Sequence, residues 1–238
     1  RIWRCSKVLQ NTTFPVVERF VSINGEGAHA GCFSAFIRFR GCNLACSYCD
    51  TQWACTGDCP AEELTAQQIV DYVLEQGTPC VTLTGGEPLL QPAIDELVDM
   101  LAFRTECFVE IETNGACDIA LLADLRRRQI GAGHLGFTLD CKSPSSGMAD
   151  KMLASNYEHL SDDDCVKFVV GSVDDLDVAA KIVRDNALLD RCQVFFSPVF
   201  GQIEPAQIVD YLSDSGLRDA RVQLQLHKLI WPNVERGV

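Results

Sequence analysis

Three cysteines stand within eight residues, in the run Gly41-Cys42-Asn43-Leu44-Ala45-Cys46-Ser47-Tyr48-Cys49-Asp50-Thr51. Their C-x-x-x-C-x-x-C spacing lets one loop wrap a single inorganic centre. Cysteine thiolates hold iron–sulfur clusters, and a 4Fe-4S cluster takes four ligands. Three local thiolates leave one iron open to a ligand that is not protein. A structural zinc site would have to recruit Cys55 or Cys59 as its fourth ligand, because such sites are closed and tetrahedral. A dithiol redox pair at Cys46 and Cys49 would need only two cysteines and a different setting. Cys55 and Cys59 stay open at this point, as metal ligands or as loop thiols.

Such a loop must be held by regular elements. Short β-branched or aromatic runs alternate with longer amphipathic segments, a pattern of strand–helix units and a mainly parallel sheet. Strands are expected near Phe33–Phe39, Cys80–Thr84, Cys107–Glu112, Leu135–Asp140, Cys165–Val170, Gln193–Ser197 and Val222–Leu226. Their apolar character suits strands covered on both faces. Helices are expected over Ala61–Glu75, with Thr65 available as a cap, and over Pro92–Phe103, Ile119–Arg128, Val173–Asn186 and Pro205–Ser215. Six or so units give an α/β fold: a partial (β/α) barrel with helices outside, in a single domain spanning 1–238. Residues 1–15 form an N-terminal extension, and 41–60 the cluster-binding loop with an insertion. Ligand sites in such folds lie at the carboxyl ends of strands. Those ends read Arg40-Gly41-Cys42, Gly85-Gly86-Glu87-Pro88, Thr113-Asn114-Gly115, Cys141-Lys142-Ser143-Pro144 and Pro198-Val199.

Composition narrows the function classes. The chain has 238 residues with 20 Lys and Arg against 33 Asp and Glu, a formal net charge of −13. No basic block interrupts the acidic balance, so direct nucleic-acid binding is not expected. The apolar runs fall far short of a membrane span. Thirteen cysteines in a chain able to bury a full core, with no secretory n-region and h-region opening the sequence, are expected of a reducing cytoplasm. Cys80, Cys107, Cys165 and Cys192 open expected strands, where a thiol behaves as a small hydrophobe.

The cysteine run, with Tyr48 just before its last cysteine, and Gly85-Gly86-Glu87-Pro88 together resemble the radical S-adenosylmethionine superfamily. A narrower similarity begins at Ser22-Ile23-Asn24-Gly25-Glu26-Gly27-Ala28-His29-Ala30-Gly31 and continues through Phe36-Ile37-Arg38-Phe39-Arg40-Gly41-Cys42. It adds Cys49-Asp50-Thr51, Glu112-Thr113-Asn114-Gly115, Pro144-Ser145-Ser146-Gly147-Met148 and the stretch from His227-Lys228 to Arg236-Gly237-Val238. These motifs, in this order, resemble the 7-carboxy-7-deazaguanine synthase family, particularly its clostridial-type branch.

That resemblance implies a lyase of 7-deazapurine and queuosine biosynthesis. It would contract the ring of 6-carboxy-5,6,7,8-tetrahydropterin to 7-carboxy-7-deazaguanine with release of ammonia. Its implied cofactors are a 4Fe-4S cluster, S-adenosylmethionine and Mg²⁺. The cofactor supplies the radical chemistry, and the protein orients it and excludes water. Cys42, Cys46 and Cys49 would ligate the cluster. Tyr48, Cys49, Asp50, Gly86, Glu87, Glu112, Asn114, Asp140, Cys141 and Lys142 would meet S-adenosylmethionine. Ile23, Asn24, Gly25, Glu26, Arg38, Thr84, His227 and Val238 would meet the pterin, with Asn24 standing where the commoner family pattern has Gln. Arg38 suits a carboxylate physically, since its planar fork can pair bidentately. Lys142 is a second local cation for the anionic substrate. Thr51 would be the Mg²⁺ ligand, completed by substrate and water oxygens.

Implied partners are the small-molecule pterin, an electron donor such as flavodoxin or ferredoxin, and a second copy in a homodimer, with no nucleic acid and no membrane. Two other functions fit parts of the pattern: a glycyl-radical-enzyme activase, and a non-catalytic iron–sulfur or zinc module. The Ile23–Gly31 stretch and Arg38 favour a small acidic substrate over a protein partner. The GGEP and Glu112-Thr113-Asn114-Gly115 loops would serve nothing in a metal-binding module.

Overall fold

The computed structural model describes residues 12–128, 135–234 and 236–238. A single nine-stranded sheet runs in the order β3-β1-β2-β4-β5-β6-β7-β8-β9. In chain order its elements are β1 (Thr13–Ile23), β2 (Phe33–Phe39), α1 (Gln52–Cys55), β3 (Glu62–Thr65), α2 (Ala66–Gln76), β4 (Cys80–Gly85) and α3 (Ile94–Arg104). They continue with β5 (Phe108–Thr113), α4 (Ala120–Arg128), β6 (Leu135–Lys142), β7 (Cys165–Val170), α5 (Val173–Asp185), β8 (Gln193–Pro198), α6 (Pro205–Asp214), β9 (Arg221–Val222) and α7 (Leu226–Ile230). From β2 to β9 all neighbours are parallel, while β1 pairs antiparallel with β2 and β3. The sheet stays open, with β3 and β9 at its edges. No helix among the described residues is long and apolar enough to cross a membrane.

The expected parallel core is present, with four revisions. Ala61–Glu75 is not one helix. Its first residues pair with β1 as β3, and Thr65 then caps α2 through a reciprocal hydrogen-bonded box with Gln68. The last expected strand shrinks to Arg221–Val222, and Leu226 instead opens α7. Pro92 lies outside α3, whose start is preceded by Ala93 at φ 57°. Finally, the expected N-terminal extension overlaps β1, which starts at Thr13; residues 1–11, with Cys5, lie outside the described residues. A bulge between Val16 and Glu18 breaks the alternation of β1. It sends Phe14 and Val16 to one face and lets Glu18, Phe20 and Ser22 oppose Arg38, Phe36 and Ser34 on the other.

The strands are not apolar on both faces, as the sequence had implied. One face packs under the helices: Ala35, Ile37 and Phe39, Val81 and Leu83, Val109 and Ile111, Phe137, Leu139 and Cys141, then Val166, Phe168 and Val170, all buried in one core. The other face carries Arg38, Thr82, Thr84, Glu110, Glu112, Thr138, Asp140, Lys142 and Lys167 at the intervening positions. A period of two makes this separation obligatory.

Candidate functional site

The cluster loop leaves β2 and is pinned against the other strand ends. Ser47 donates its backbone N–H to the carbonyl of Ser146 at 3.0 Å and its hydroxyl to the carbonyl of Ser145 at 2.7 Å. Tyr48 donates its hydroxyl to the Val169 carbonyl at 3.2 Å. On the opposite flank, Glu87 donates its N–H to the Gly41 carbonyl at 2.8 Å. This contact explains the glycine pair before it. A Cβ on Gly86 would stand 2.0 Å from the Gly41 carbonyl oxygen, and one on Gly85 would stand 2.3 Å from that of Phe39. Only glycine lets the two loops touch.

Cys42, Cys46 and Cys49 are neighbours on this loop. The Cys42 sulfur accepts from the Leu44 N–H at 3.4 Å and from the Asn114 side-chain amide at 3.5 Å. The neighbouring Cys55 side chain lowers Cys42 and Cys49 each to a pKa of about 6, while Cys55, whose thiol donates to the Thr51 carbonyl at 3.5 Å, is itself pushed far up. Cys46 moves the other way, raised by burial. Two thiolates at neutral pH, with N–H donors aimed at sulfur, suit the ligand chemistry of an iron–sulfur cluster. Among the described residues no group of three or more His, Cys, Asp or Glu side chains is placed to hold a metal ion. Thr51 places its hydroxyl 3.7 Å from the Cys49 sulfur. A cation there would depend on ligand oxygens.

Glu87 is fully buried, and burial raises its pKa to about 7. Its oxygens accept from the Leu89 N–H, the Thr113 hydroxyl and the Asn114 N–H at 3.0, 2.9 and 2.7 Å. The side chain thus organises the strand end, and Asn114 in turn reaches Cys42. Cys141 requires a correction. Its side chain is on the helix-covered face, 0% exposed and 3.2 Å from the Tyr157 hydroxyl, because the alternation of β6 places it opposite Asp140 and Lys142. Only its backbone is left for a cofactor.

The loop after β1 folds across the polar face. Asn24, 1% exposed, gives its amide N–H to Glu110 at 2.8 Å and accepts from Thr82 at 3.0 Å. Its side chain is therefore committed inward, and its backbone N–H and carbonyl pair with the Cys32 carbonyl and the Gly31 N–H. Gly25 abuts His227 so closely that a Cβ would lie 2.3 Å from Nδ1, and its carbonyl accepts from the Leu226 N–H at 3.0 Å. Burial lowers the pKa of His227, so this ring is neutral at neutral pH. Glu26 accepts from Lys167 at 3.0 Å and from Gln225 at 3.1 Å through Oε2, while its Oε1 is buried without a partner. Arg38 gives Nε to Glu18 at 3.1 Å, with the Trp53 ring 6.0 Å away. Trp53 is covered on its own account by Arg236 at 3.9 Å, and Val238 is half-buried. Thr84 lies beside Arg38 in register, 7% exposed. Lys228 stands 3.6 Å from the exposed Asp50.

Asp140 and Lys142 form a close pair at 2.7 Å. Burial opposes the charge on each. Even so, the Lys142 and Lys167 ammoniums pull Asp140 below the usual carboxylate range, and Asp140 raises Lys142. Asp140 Oδ1, Ser143 Oγ and Ser197 Oγ are buried without partners at the ends of β6 and β8. Orphan acceptors and hydroxyls beside a thiolate loop fit a polar cofactor such as S-adenosylmethionine.

Sequence reasoning did not single out Glu18, Trp53, Glu110, Lys167 or Gln225. Glu110 and Lys167 did carry a signal: Lys167 is the one charge in β7, Glu110 alternates with apolar residues and Glu112 in β5, and a buried charge needs a purpose. Glu18 and Trp53 carried none, since β1 was not foreseen and α1 is a single turn.

The radical SAM superfamily model matches residues 36–146. The chain is 44% identical to the 7-carboxy-7-deazaguanine synthase of Clostridium acetobutylicum, over 94% of this chain and 99% of that protein. It is 37% identical to the protein of the same name from Chlorobaculum tepidum, over 94% and 96%. The fold matches the crystal structure of QueE from Escherichia coli with a TM-score of 0.72 at 20% identity, covering 93% and 99% of the two chains.

Proposed function

Since the chain belongs to the 7-carboxy-7-deazaguanine synthase family, we infer that its polar face is the active site of a radical S-adenosylmethionine lyase. The reaction is the ring contraction of 6-carboxy-5,6,7,8-tetrahydropterin to 7-carboxy-7-deazaguanine, with loss of ammonia, in 7-deazapurine biosynthesis. A 4Fe-4S cluster with S-adenosylmethionine would supply the one-electron chemistry that generates a hydrogen-abstracting adenosyl radical.

The chain's own residues do the rest. Cys42, Cys46 and Cys49 hold the cluster, and Asn114 and the Leu44 N–H steady the Cys42 thiolate. Gly86 lets the GGEP loop lie against the cluster loop, where Gly86 and Glu87 line the methionyl end of the cofactor. Tyr48, Asp50, Glu112, Asp140 and Lys142 line the remainder. On the substrate side, Glu18 takes Arg38 by Nε, leaving the terminal nitrogens of the guanidinium for the pterin carboxylate. Glu26 offers Oε1 to the amino-pyrimidinone edge, and neutral His227 closes the pocket from the C-terminal side with Val238. Thr84 contacts the substrate from β4. Thr51 would be the protein ligand of Mg²⁺, whose affinity would then depend on oxygens supplied by bound substrate and water. An electron donor of the flavodoxin or ferredoxin type and a homodimeric assembly complete the reading, in a cytoplasmic setting.

The observation that supports this proposal is the pair of buried, unpartnered carboxylate oxygens, Glu26 Oε1 and Asp140 Oδ1, at the polar face of the sheet whose strand ends pin the three-cysteine loop. Its test is an anaerobic assay of the reconstituted protein with the carboxytetrahydropterin, S-adenosylmethionine and reductant, with and without Mg²⁺. The expected result is the deazaguanine product by mass, formed more slowly without the metal. Cofactor cleavage with no pterin conversion would reject the substrate assignment, and indifference to Mg²⁺ would remove Thr51 from the site.

A further inference from the structure

Lys167 is a buried cation to which the roles above give no task. It stands in the middle of β7 on the polar face, 8% exposed. An ammonium in such a place must be paired. Its Nζ donates to Glu26 Oε2 at 3.0 Å and lies 3.7 Å from Asp140 Oδ2. Asp140 Oδ2 also receives Lys142 at 2.7 Å. The charges therefore alternate, Glu26, Lys167, Asp140, Lys142, across three elements: the loop after β1, β7 and β6.

In both carboxylates that Lys167 touches, one oxygen is occupied and the other is a buried orphan, Glu26 Oε1 and Asp140 Oδ1. Fixing one oxygen fixes the direction of its twin. Burial opposes the charge on Lys167, but Glu26 and Asp140 hold it well above its ordinary range, with Glu112 adding to the effect. Glu110 also faces it from β5. The neighbourhood thus contains four carboxyls, Glu26, Glu110, Glu112 and Asp140, and two ammoniums, Lys142 and Lys167. Loss of either ammonium must turn the carboxylates away from one another.

We propose that Lys167 is a positioning residue shared by two sites: it aims Glu26 at the pterin and Asp140 at S-adenosylmethionine, so that one ammonium sets both. The inference rests on the function proposed above. It also predicts an asymmetry among neighbours. Gln225 reaches Glu26, at 3.1 Å, while its other end accepts from Lys228; of the two carboxylates it holds Glu26, and it serves the pterin.

The test uses the anaerobically reconstituted holoenzyme. Pterin binding is measured by equilibrium dialysis without reductant, and S-adenosylmethionine binding by its effect on the electron paramagnetic resonance of the reduced cluster. Lys167→Met is expected to raise both dissociation constants at least tenfold and to lower the thermal midpoint, since it leaves Glu26 and Asp140 buried without their shared cation. Gln225→Ala should raise the pterin constant alone. Should Lys167→Met not fold, Lys167→Arg keeps the charge with displaced donors and is expected to raise both constants together by severalfold. Two unchanged constants, or a change in only one, in either Lys167 variant would overturn the proposal. A wild-type enzyme that forms no deazaguanine would instead reject the functional reading, so the two failures are distinguishable.

Discussion

On the helix-covered side of β6 stand Phe137, Leu139 and Cys141, each no more than 1% exposed. One residue along in each case, on the other side, stand Thr138, Asp140 and Lys142. Neighbouring strands repeat the contrast: Val109 and Ile111 against Glu110 and Glu112, Val166 and Phe168 against Lys167. The first face is held by close packing, which is unspecific about partners and intolerant of volume change. The second is held by hydrogen bonds and charge pairs that are locally incomplete, with orphan oxygens at Glu26 and Asp140. The same backbone thus supports two kinds of energetics, one that makes the protein stable and one that makes it selective for ligands.

That contrast can be broken first by paired truncations. Phe168→Ala, on the packed face, should cost about 3–5 kcal/mol of unfolding free energy by denaturant titration, with substrate affinity of the folded fraction unchanged. Arg38→Ala, on the polar face, should act mainly on affinity. Its pair with Glu18 is largely buried, with the side chains 15% and 16% exposed, so stability should also fall, by about 1–3 kcal/mol and less than at Phe168. The pterin KM should rise about 100-fold, since each tenfold loss is about 1.4 kcal/mol of carboxylate binding. An equal rise in the S-adenosylmethionine requirement would remove Arg38 from the substrate side.

A smaller effect sharpens the comparison through pH. Burial raises the pKa of Glu110 to about 7, against the pull of its Thr138 and Thr82 hydrogen bonds. The folded chain then keeps a proton that the unfolded chain releases near pH 4.5. Between those values unfolding releases a proton, so stability should fall as pH rises from about 4.5 to 7. Glu110→Gln should flatten that fall by an amount on the order of 1 kcal/mol, read as a smaller difference between melts at the two ends of the window. An unaltered slope would place the proton elsewhere. The smallest effect belongs to the helix layer. Thr65→Ala removes the α2 cap and should cost about 1 kcal/mol in the same denaturant titration, leaving both ligand affinities unchanged.

Much of this was legible in the residues. The cysteine spacing, GGEP and the strand-end polar groups marked the loops, and the strands from Phe33 to Pro198 emerged close to where their β-branched runs lie. The losses have physical causes. Pro15 and the bulge at Val16 to Glu18 hide β1 from any test of strict alternation. The segment Glu62–Thr65 is too short to show its own period, so it merged with α2 in the sequence. The sequence reads as uniformly apolar on both faces because the threonines of β4, the two glutamates of β5 and the single lysine of β7 are diluted by their neighbours. Side-chain direction decided the rest: Asn24 turns inward to Glu110, and Cys141 turns into the core.

The central claim is that the loop from Cys42 to Cys49 holds the cluster that the chemistry on the polar face requires. Iron content and product formation by anaerobically reconstituted Cys42→Ala, beside the unaltered protein, test it most directly. The unaltered chain should hold about four irons and convert the pterin, and the variant should lose the intact cluster and form no deazaguanine. A Cys42→Ala protein with a full cluster and undiminished turnover would contradict the account.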